Sequence, residues 1–134
     1  MNSARLVDLE RIGDERGSLV ALERANGLPF DIKRVYYIFG TAGGASRGFH
    51  AHRDLRQLVI SVSGTCRLVV DDGRDRSDIW LNSPTKGLMI EGLIWREMHD
   101  FSPDCVLLVL ASDIYKESDY IRDYRVFLKE CERA

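Results

Sequence analysis

The chain has 134 residues and a formal net charge of −2, from 19 lysines and arginines against 21 aspartates and glutamates. This length fits one domain over residues 1–134 with a hydrophobic core, and the interspersed charges predict no nucleic-acid partner. The longest apolar run, residues 105–111, is too short to span a membrane and residues 1–13 have no apolar signal core, so we expect a cytoplasmic protein.

In chain order, short runs of β-branched, aromatic and alternating apolar residues predict strands separated by turns. The turn signals include Gly64, Gly73, Pro84 and Pro103, each among small or polar residues. This spacing predicts an all-β fold, an antiparallel sandwich or jelly roll of about eight strands. The expected strands span residues 18–22, 35–39, 57–63, 66–71, 76–81, 87–90, 94–100 and 105–111.

A short helix is expected only near the C-terminus. Ser118 or Asp119 is expected to cap it, and it should run through Tyr120, Tyr124 and Phe127. The three cysteines are odd in number and lack metal or redox spacing, so we expect them to be reduced thiols.

Two of the three histidines, His50 and His52, lie two residues apart where the chain is expected to enter a strand. Alternate side chains of a strand share a face, so both imidazoles can point into one cavity. Imidazole gains and loses a proton near neutral pH more readily than other side chains, which suits proton transfer. The alternative is a structural pair in which one ring is packed and hydrogen-bonded.

The residues around this pair form a longer pattern, from Gly44 through the two histidines and Gln57 to Gly64. The pattern resembles the first conserved motif of the cupin superfamily. The resemblance implies a cupin jelly-roll barrel, with the histidines on its inner wall.

Metal-binding cupins normally have glutamate at the position of Gln57 and a histidine at the position that corresponds to Arg96. A neutral amide is a poor replacement for a carboxylate, and a guanidinium group repels a divalent ion. We therefore expect no metal and no other cofactor. The alternative is a zinc site formed by His50, His52 and His99.

Five longer strings cover most of the chain: D-E-R-G-S-L-V-A-L-E at 14–23, I-K-R-V-Y-Y-I-F at 32–39, R-G-F-H-A-H-R at 47–53, W-R-E-M-H-D-F-S-P-D-C-V at 95–106 and L-A-S-D-I-Y-K-E-S-D-Y-I-R-D-Y at 110–124. Together they resemble the sugar-nucleotide 3,4-ketoisomerases. The resemblance implies a metal-independent homodimer that converts dTDP-4-keto-6-deoxy-D-glucose to its 3-keto isomer, in the biosynthesis of 3-amino-3,6-dideoxysugars.

Such a reaction needs a base at C3, a proton relay between oxygens and stabilisation of an enediolate. The resemblance implies that His50 is the base, and His52 is expected to be the relay or the partner that fixes the working tautomer. Tyr36 matches a family active-site tyrosine that shares a proton with a sugar oxygen, although a packing aromatic is the alternative. Tyr37 is expected on the opposite face of the strand.

Arg16 and Arg96 are further candidate catalytic residues. Arg96 follows Trp95 inside an apolar strand, which favours a side chain that faces the cavity. In the family that the chain resembles, these two positions track whether the new C4 hydroxyl is axial or equatorial. Arginine at both positions leaves the stereochemistry of the product open.

Candidate substrate-binding residues flank the histidines. Arg47 and Arg53 present planar guanidinium groups that suit diphosphate oxygens, while Arg34 is as consistent with a surface ion pair. Gln57 and His99 complete the expected substrate-binding set, and a structural role behind the site is the alternative for His99.

Two other functions stay open. One is a 3,5-epimerase of the same nucleotide sugar, and the other is a non-catalytic cupin that binds sugar nucleotides. In every case a homodimer is expected, because an open jelly roll must cover its strand edges. The N-terminal strand at 18–22 is expected to contribute to the sheet of the partner.

Overall fold

The computed structural model describes residues 2–24 and 27–133. Within these ranges the chain forms twelve strands, a 3-10 turn at Glu117–Asp119 and one α-helix, α1, at Tyr124–Arg133. The strands are β1 (Ser3–Asp8), β2 (Ile12–Asp14), β3 (Gly17–Leu19), β4 (Arg34–Ile38), β5 (Arg47–His52), β6 (Arg56–Ser63), β7 (Cys66–Asp71), β8 (Arg76–Leu81), β9 (Lys86–Glu91), β10 (Trp95–His99), β11 (Val106–Ala111) and β12 (Tyr120–Ile121).

Two five-stranded sheets make up the barrel. The first has the order β1-β9-β6-β11-β4 and the second has the order β12-β5-β10-β7-β8, while β2 and β3 form a separate hairpin. All of these pairings are antiparallel, and most join strands that are distant in sequence. This arrangement confirms the predicted all-β jelly roll.

Apolar side chains from the inner faces of both sheets form the main core. Val59 and Leu107 of the first sheet pack with Leu68 and Leu81 of the second, all nearly inaccessible to solvent. The outer face of the first sheet is also partly covered, because the segment before β4 places Phe30 over it. Burial on both faces explains why β6, β9 and β11 are nearly continuous apolar runs.

The C-terminal helix covers the outer face of the second sheet, directly behind the histidine strand. Phe127 of α1 is completely buried and packs with Ala51 of β5 and Trp95 of β10. No helix in the described ranges is long and apolar enough to cross a membrane.

The predicted start of this helix was wrong. Ser118 and Asp119 lie in the 3-10 turn, and the next two residues form β12, which pairs with β5. The helix begins only at Tyr124, where the carboxylate of Asp123 accepts the backbone N–H of Arg125 at 2.8 Å. Pairing with β5 is a long-range contact, so it overrides the local capping signal.

The strands themselves follow the sequence closely in the middle of the chain and less closely at its start. The strands expected at 66–71 and 76–81 have the predicted bounds. The strand expected at 18–22 is only Gly17–Leu19, half of the β2–β3 hairpin, and β1 was not predicted. β1 forms along β9 over six residue pairs, a partnership with no local sequence signal.

Candidate active site

Two adjoining cavities lie at the mouth of the barrel, where β4, β5 and β12 meet. The larger has a volume of about 540 Å³, and its lining includes Tyr36, Arg47, His50, Tyr120 and Arg122. The smaller, of about 380 Å³, is lined by the loops at 53–56 and 112–119 together with His52. Both cavities include Arg34 and Tyr120 in their walls, so they meet at these two side chains. Volumes of this size suit a small-molecule ligand.

A β-bulge in β5 determines which residues face the larger cavity. Arg96 of β10 pairs with His50, but the next residue of β10 pairs with Gly48. Phe49 is therefore the extra, unpaired residue of the bulge. Phe49 and Gly48 have positive φ angles of 58° and 90°. Because of the bulge, Arg47 and His50 lie on the same face of β5 although they are three residues apart.

The two predicted histidines contact each other but open onto different cavities. Their ring centroids are 4.9 Å apart with an interplanar angle of 85°. The ring of Tyr120 lies 5.0 Å from that of His50 and 4.3 Å from that of His52. His50 therefore lines the larger cavity and His52 the smaller one, and Tyr120 packs against both rings where the cavities meet.

Burial keeps both histidines uncharged. Desolvation, with a further contribution from the positive charge of Arg96, lowers the pKa of His50 to about 4. Desolvation, followed by Arg96 and His50, lowers the pKa of His52 to about 2. At neutral pH both rings are neutral imidazoles, each with a nitrogen lone pair that can accept a proton.

Tyr36 packs against the core on the inner face of β4, whereas Tyr37 lies on the outer face and is 61% exposed; both contribute to the wall of the larger cavity. Desolvation raises the pKa of Tyr36, so its hydroxyl is protonated at neutral pH. That hydroxyl accepts a hydrogen bond from Nε2 of Gln57 at 3.3 Å. Its own proton is therefore available to a group in the cavity.

Gln57 is itself held by Arg96, which lies beneath the cavity wall. The Arg96 side chain is only 1% exposed and donates through Nη1 to Oε1 of Gln57, and through Nε and Nη2 to the carbonyl oxygen of Ile94. Desolvation lowers the pKa of Arg96 to about 10, which leaves it charged at neutral pH. Neither Gln57 nor Arg96 lines the described cavities, so both act on the site through Tyr36 and through the field of the guanidinium group.

These two residues also decide whether a cupin-type metal fits. Arg96 occupies the position where metal-binding cupins have a histidine ligand. Gln57 occupies the position of their glutamate ligand, and its Oε1 already accepts a hydrogen bond from the guanidinium of Arg96. In the described part of the chain, no three His, Cys, Asp or Glu side chains are grouped closely enough to hold a metal ion. The alternative set with His99 does not form, because His99 points to the outer face of β10.

His99, an expected substrate-binding residue, lies outside the linings of both cavities. Its Nε2 is 2.9 Å from Oε1 of Glu97 and its Nδ1 is 2.8 Å from Oγ of Ser46. Its ring packs against Phe49 with centroids 5.7 Å apart. Since Arg96 and Met98 point inward on β10, His99 points outward and packs against the bulge residue Phe49.

Arg16 also lies away from both cavities of its own chain. It sits in the tight turn of the β2–β3 hairpin, its side chain is 86% exposed, and it pairs with Asp14 at 2.7 Å. A single chain therefore does not bring Arg16 to its own cavities, and the catalytic role of Arg16 stays a prediction. Strand alternation could not show this, because among the described residues β2 and β3 pair with each other and with no other strand.

The arginines around the cavities differ in what already holds them. Arg53 lines the smaller cavity, but its guanidinium donates to Glu130 and to the carbonyl oxygens of Ser118 and Tyr120. Arg47 and Arg34 have no ion pair with a described residue, and the guanidinium carbon of Arg34 lies over two aromatic rings. The nearest of these is the ring of Tyr36, at 4.7 Å from its centroid. Arg34 and Arg47 are thus the available cations of the larger cavity.

The sequence-based prediction missed Tyr120, Asp119 and the importance of Arg34. Asp119 accepts a hydrogen bond from His52, with 3.1 Å between Oδ2 and Nδ1, and its Oδ1 accepts the backbone N–H of Asp54 at 2.9 Å. Tyr120 packs on both histidines. The string at 110–124 contains these residues, but their place beside β5 depends on the pairing of β12.

The family model described as "WxcM-like, C-terminal" (FdtA) matches residues 2–132 of this chain. The chain belongs to this family. A curated relative in Aneurinibacillus thermoaerophilus, a TDP-4-oxo-6-deoxy-alpha-D-glucose-3,4-oxoisomerase, is 52% identical over 125 residues, 93% of this chain and 90% of the relative. The predicted membership of the sugar-nucleotide 3,4-ketoisomerases is confirmed.

Solved structures agree with this assignment. A 3,4-ketoisomerase from Helicobacter canadensis is 46% identical with a TM-score of 0.92, over 96% of this chain and 97% of that one. The sugar 3,4-ketoisomerase QdtA from Thermoanaerobacterium thermosaccharolyticum, in complex with TDP, is 42% identical with a TM-score of 0.94, over 97% and 95%. The 4-keto-6-deoxy sugar epimerase NovW of Streptomyces spheroides is only 19% identical, with a TM-score of 0.71, and shows the shared fold alone.

Proposed function

We propose that this chain converts dTDP-4-keto-6-deoxy-D-glucose to the 3-keto isomer. The observation that carries the proposal is His50, an imidazole kept neutral by burial, in the wall of a cavity that also contains the hydroxyl of Tyr36. The family relationship supports it, since a QdtA variant has been solved in complex with TDP-4-keto-6-deoxyglucose.

The reaction moves two protons and needs no outside reagent. His50 removes the proton from C3, and the electron pair of the C3–H bond forms a C3–C4 double bond while the C4 ketone oxygen becomes an enediolate. The proton of the C3 hydroxyl then passes to this oxygen, a transfer in which Tyr36 can both accept and donate. When C4 takes up a proton, the double bond shifts and a ketone remains at C3.

The charge of Arg96 favours this sequence without contact with the sugar. Its guanidinium is buried beneath Tyr36 and the histidines, where a positive charge stabilises an enediolate more than it would in water. The same charge opposes formation of an imidazolium at His50. The electrostatic field therefore favours a short-lived cation that soon returns its proton to carbon.

The cations at the cavity mouth fit a diphosphate. Arg34 and Arg47 have no carboxylate partner in the described residues, and guanidinium groups bind phosphate oxygens in a bidentate geometry. Arg53 contributes less than its position in the sequence indicates, because Glu130 already pairs with it at 2.8 Å. We assign the diphosphate of the nucleotide to Arg34 and Arg47.

The proposal includes a homodimer. Val35 and Tyr37 on the outer face of β4, with Phe39 directly after the strand, form an apolar strip. Each is more than half exposed, and β4 is an edge strand of its sheet. The hairpin exposes Ile12 and Leu19 as well. A second copy would cover these surfaces and would allow the hairpin, with Arg16 in its turn, to reach the site of the partner.

We further propose that the chain acts as one domain in the cytoplasm. Cys66 and Cys105 are free thiols in the main core, and burial raises the pKa of Cys66 to about 12, which keeps it unreactive. Free thiols fit a reducing compartment.

Incubation with dTDP-4-keto-6-deoxy-D-glucose in deuterated water, followed by NMR, tests the function. The proposal predicts that the ketone moves from C4 to C3, and the configuration of the new C4 alcohol is read from the same spectra. Deuterium at C5 with the ketone still at C4 would indicate a 3,5-epimerase. Binding without either change would indicate a sugar-nucleotide-binding protein and would overturn the proposal.

A further inference from the structure

A buried carboxylate–histidine pair lies directly behind the proposed base. His52 is 1% exposed, and its Nδ1 is 3.1 Å from Oδ2 of Asp119. Its other nitrogen, Nε2, is buried and has no hydrogen-bond partner among the described residues. A buried polar atom without a partner is costly, so its retention indicates a use.

The surroundings of Asp119 determine which nitrogen of His52 carries the proton. Oδ1 of Asp119 accepts the backbone N–H groups of Arg53 at 3.2 Å and Asp54 at 2.9 Å. With Oδ1 already an acceptor for these two N–H groups, the carboxylate presents Oδ2 to His52 as a hydrogen-bond acceptor. The proton of the neutral imidazole is therefore on Nδ1, and the lone pair is on Nε2.

We infer that Asp119 is a positioning residue that holds His52 in the Nδ1–H tautomer, so that the Nε2 lone pair can accept a hydrogen bond from protonated His50. The two rings lie edge to face with centroids 4.9 Å apart, so the two imidazoles are in direct contact. The inference rests on the proposed function, because His50 is protonated only when it removes the C3 proton.

The arrangement answers a specific electrostatic problem. Desolvation and Arg96 both oppose a positive charge on His50, as its lowered pKa of about 4 shows. A neutral acceptor beside it stabilises the imidazolium without adding a full negative charge that would trap the proton. In the opposite tautomer, His52 would present an N–H group to the imidazolium and repel it.

Nitrogen-15 NMR of histidine-labelled protein reads the tautomer directly, since the chain has only three histidines. The spectrum of His52→Gln identifies the His52 signals by their absence. We expect a protonated Nδ1 and an unprotonated Nε2 in the wild type at pH 7. A His52 with its proton on Nε2, or an imidazolium, would overturn the inference whatever the activity.

The variant Asp119→Asn reverses the hydrogen bond, because its amide can donate to Nδ1 and so favours the Nε2–H tautomer. We expect reversed His52 shifts and a kcat lowered at least about tenfold with KM changed less than about twofold, as when a catalytic histidine is held in the wrong tautomer. Asp123→Asn, which keeps the helix cap, is the matched control and should change neither shifts nor kcat.

A reversed tautomer with unchanged kcat would overturn the inference. If Asp119→Asn does not fold, the wild-type spectrum still decides the tautomer. A wild type with the expected tautomer but no ketoisomerase activity would overturn the proposed function and leave the Asp119–His52 arrangement intact.

Discussion

His50 combines two properties that a base for this reaction needs. It lies in the wall of the larger cavity, and burial together with the charge of Arg96 keeps it neutral near pH 7. Tyr36, which shares the cavity, keeps its proton because its pKa is raised. One residue is therefore ready to take a proton and the other to give one, as an isomerisation without a redox cofactor requires.

Replacement of this base should nearly abolish turnover. In His50→Asn the amide keeps one hydrogen-bonding atom but cannot take the C3 proton, so we expect kcat to fall about 100-fold or more. Affinity for dTDP, measured by calorimetry, should change little because the assigned diphosphate contacts are arginines. His99→Asn is the matched control on the outer face and should retain kcat within a few-fold. Near wild-type turnover of His50→Asn would refute the assignment.

His52 should make stability depend on pH. Its pKa is about 2 in the folded protein and about 6.5 when unfolded. Below pH 6.5 the unfolded chain binds a proton that the folded chain excludes, so the free energy of unfolding decreases as the pH falls, by up to about 1.4 kcal/mol per pH unit. Urea titrations of His52→Gln should show a shallower decrease between pH 6 and 4.5. Above pH 7 both proteins should have the same slope, and equal slopes at low pH would contradict the lowered pKa.

At the scale of elements, strand pairing builds the site more than local propensity does. The bulge in β5 brings Arg47 and His50 to one face, and β12 adds Asp119 and Tyr120 beside the histidines. Alternation along a strand correctly placed Tyr36 inward and Tyr37 outward, because it depends only on the local backbone period. The bulge and β12 depend on β10 and β5, which are distant in sequence, so local patterns could not predict them.

Gly48 tests the importance of the bulge. A Cβ at this position would lie 3.0 Å from the carbonyl oxygen of Arg96, and the residue has φ of 90°. We expect Gly48→Ala to displace β5 from β10, to lower the free energy of unfolding by about 2 kcal/mol and to lower kcat. Gly44→Ala is the control, since Gly44 has φ of 78° but open space around it. Equal effects of the two variants in urea unfolding and kinetics would show that strain, and not the β5–β10 contact, is responsible.

At the scale of the whole molecule, the described chain leaves an apolar edge strand and an isolated hairpin exposed. Exposed apolar surface is unevenly distributed between the two sheets. The helix α1 covers the outer face of the second sheet, whereas the outer face of β4 is exposed to solvent. Composition and strand count predicted the barrel, but they could not show that the fold of one chain leaves Arg16 in an exposed hairpin turn, away from its own cavities.

A charge within the apolar strip should prevent assembly. Phe39 is 67% exposed on this face, so Phe39→Asp should cost little in the isolated chain and should convert a dimer to a monomer in sedimentation velocity at micromolar concentration. Trp80→Asp, on β8 of the other sheet and 50% exposed, is the control and should remain dimeric. A monomeric and fully active wild type would contradict the proposed homodimer.

The most direct test of the whole account is a carbon-13 NMR time course with dTDP-4-keto-6-deoxy-D-glucose labelled at C4 and with enzyme treated exhaustively with EDTA. Because Gln57 and Arg96 replace metal ligands, treated wild-type enzyme should convert the labelled ketone to an alcohol carbon at the untreated rate, while His50→Asn should leave the ketone signal unchanged. An unchanged ketone signal with wild-type enzyme, or activity that EDTA removes and one metal ion restores, would contradict a metal-independent ketoisomerase that uses His50.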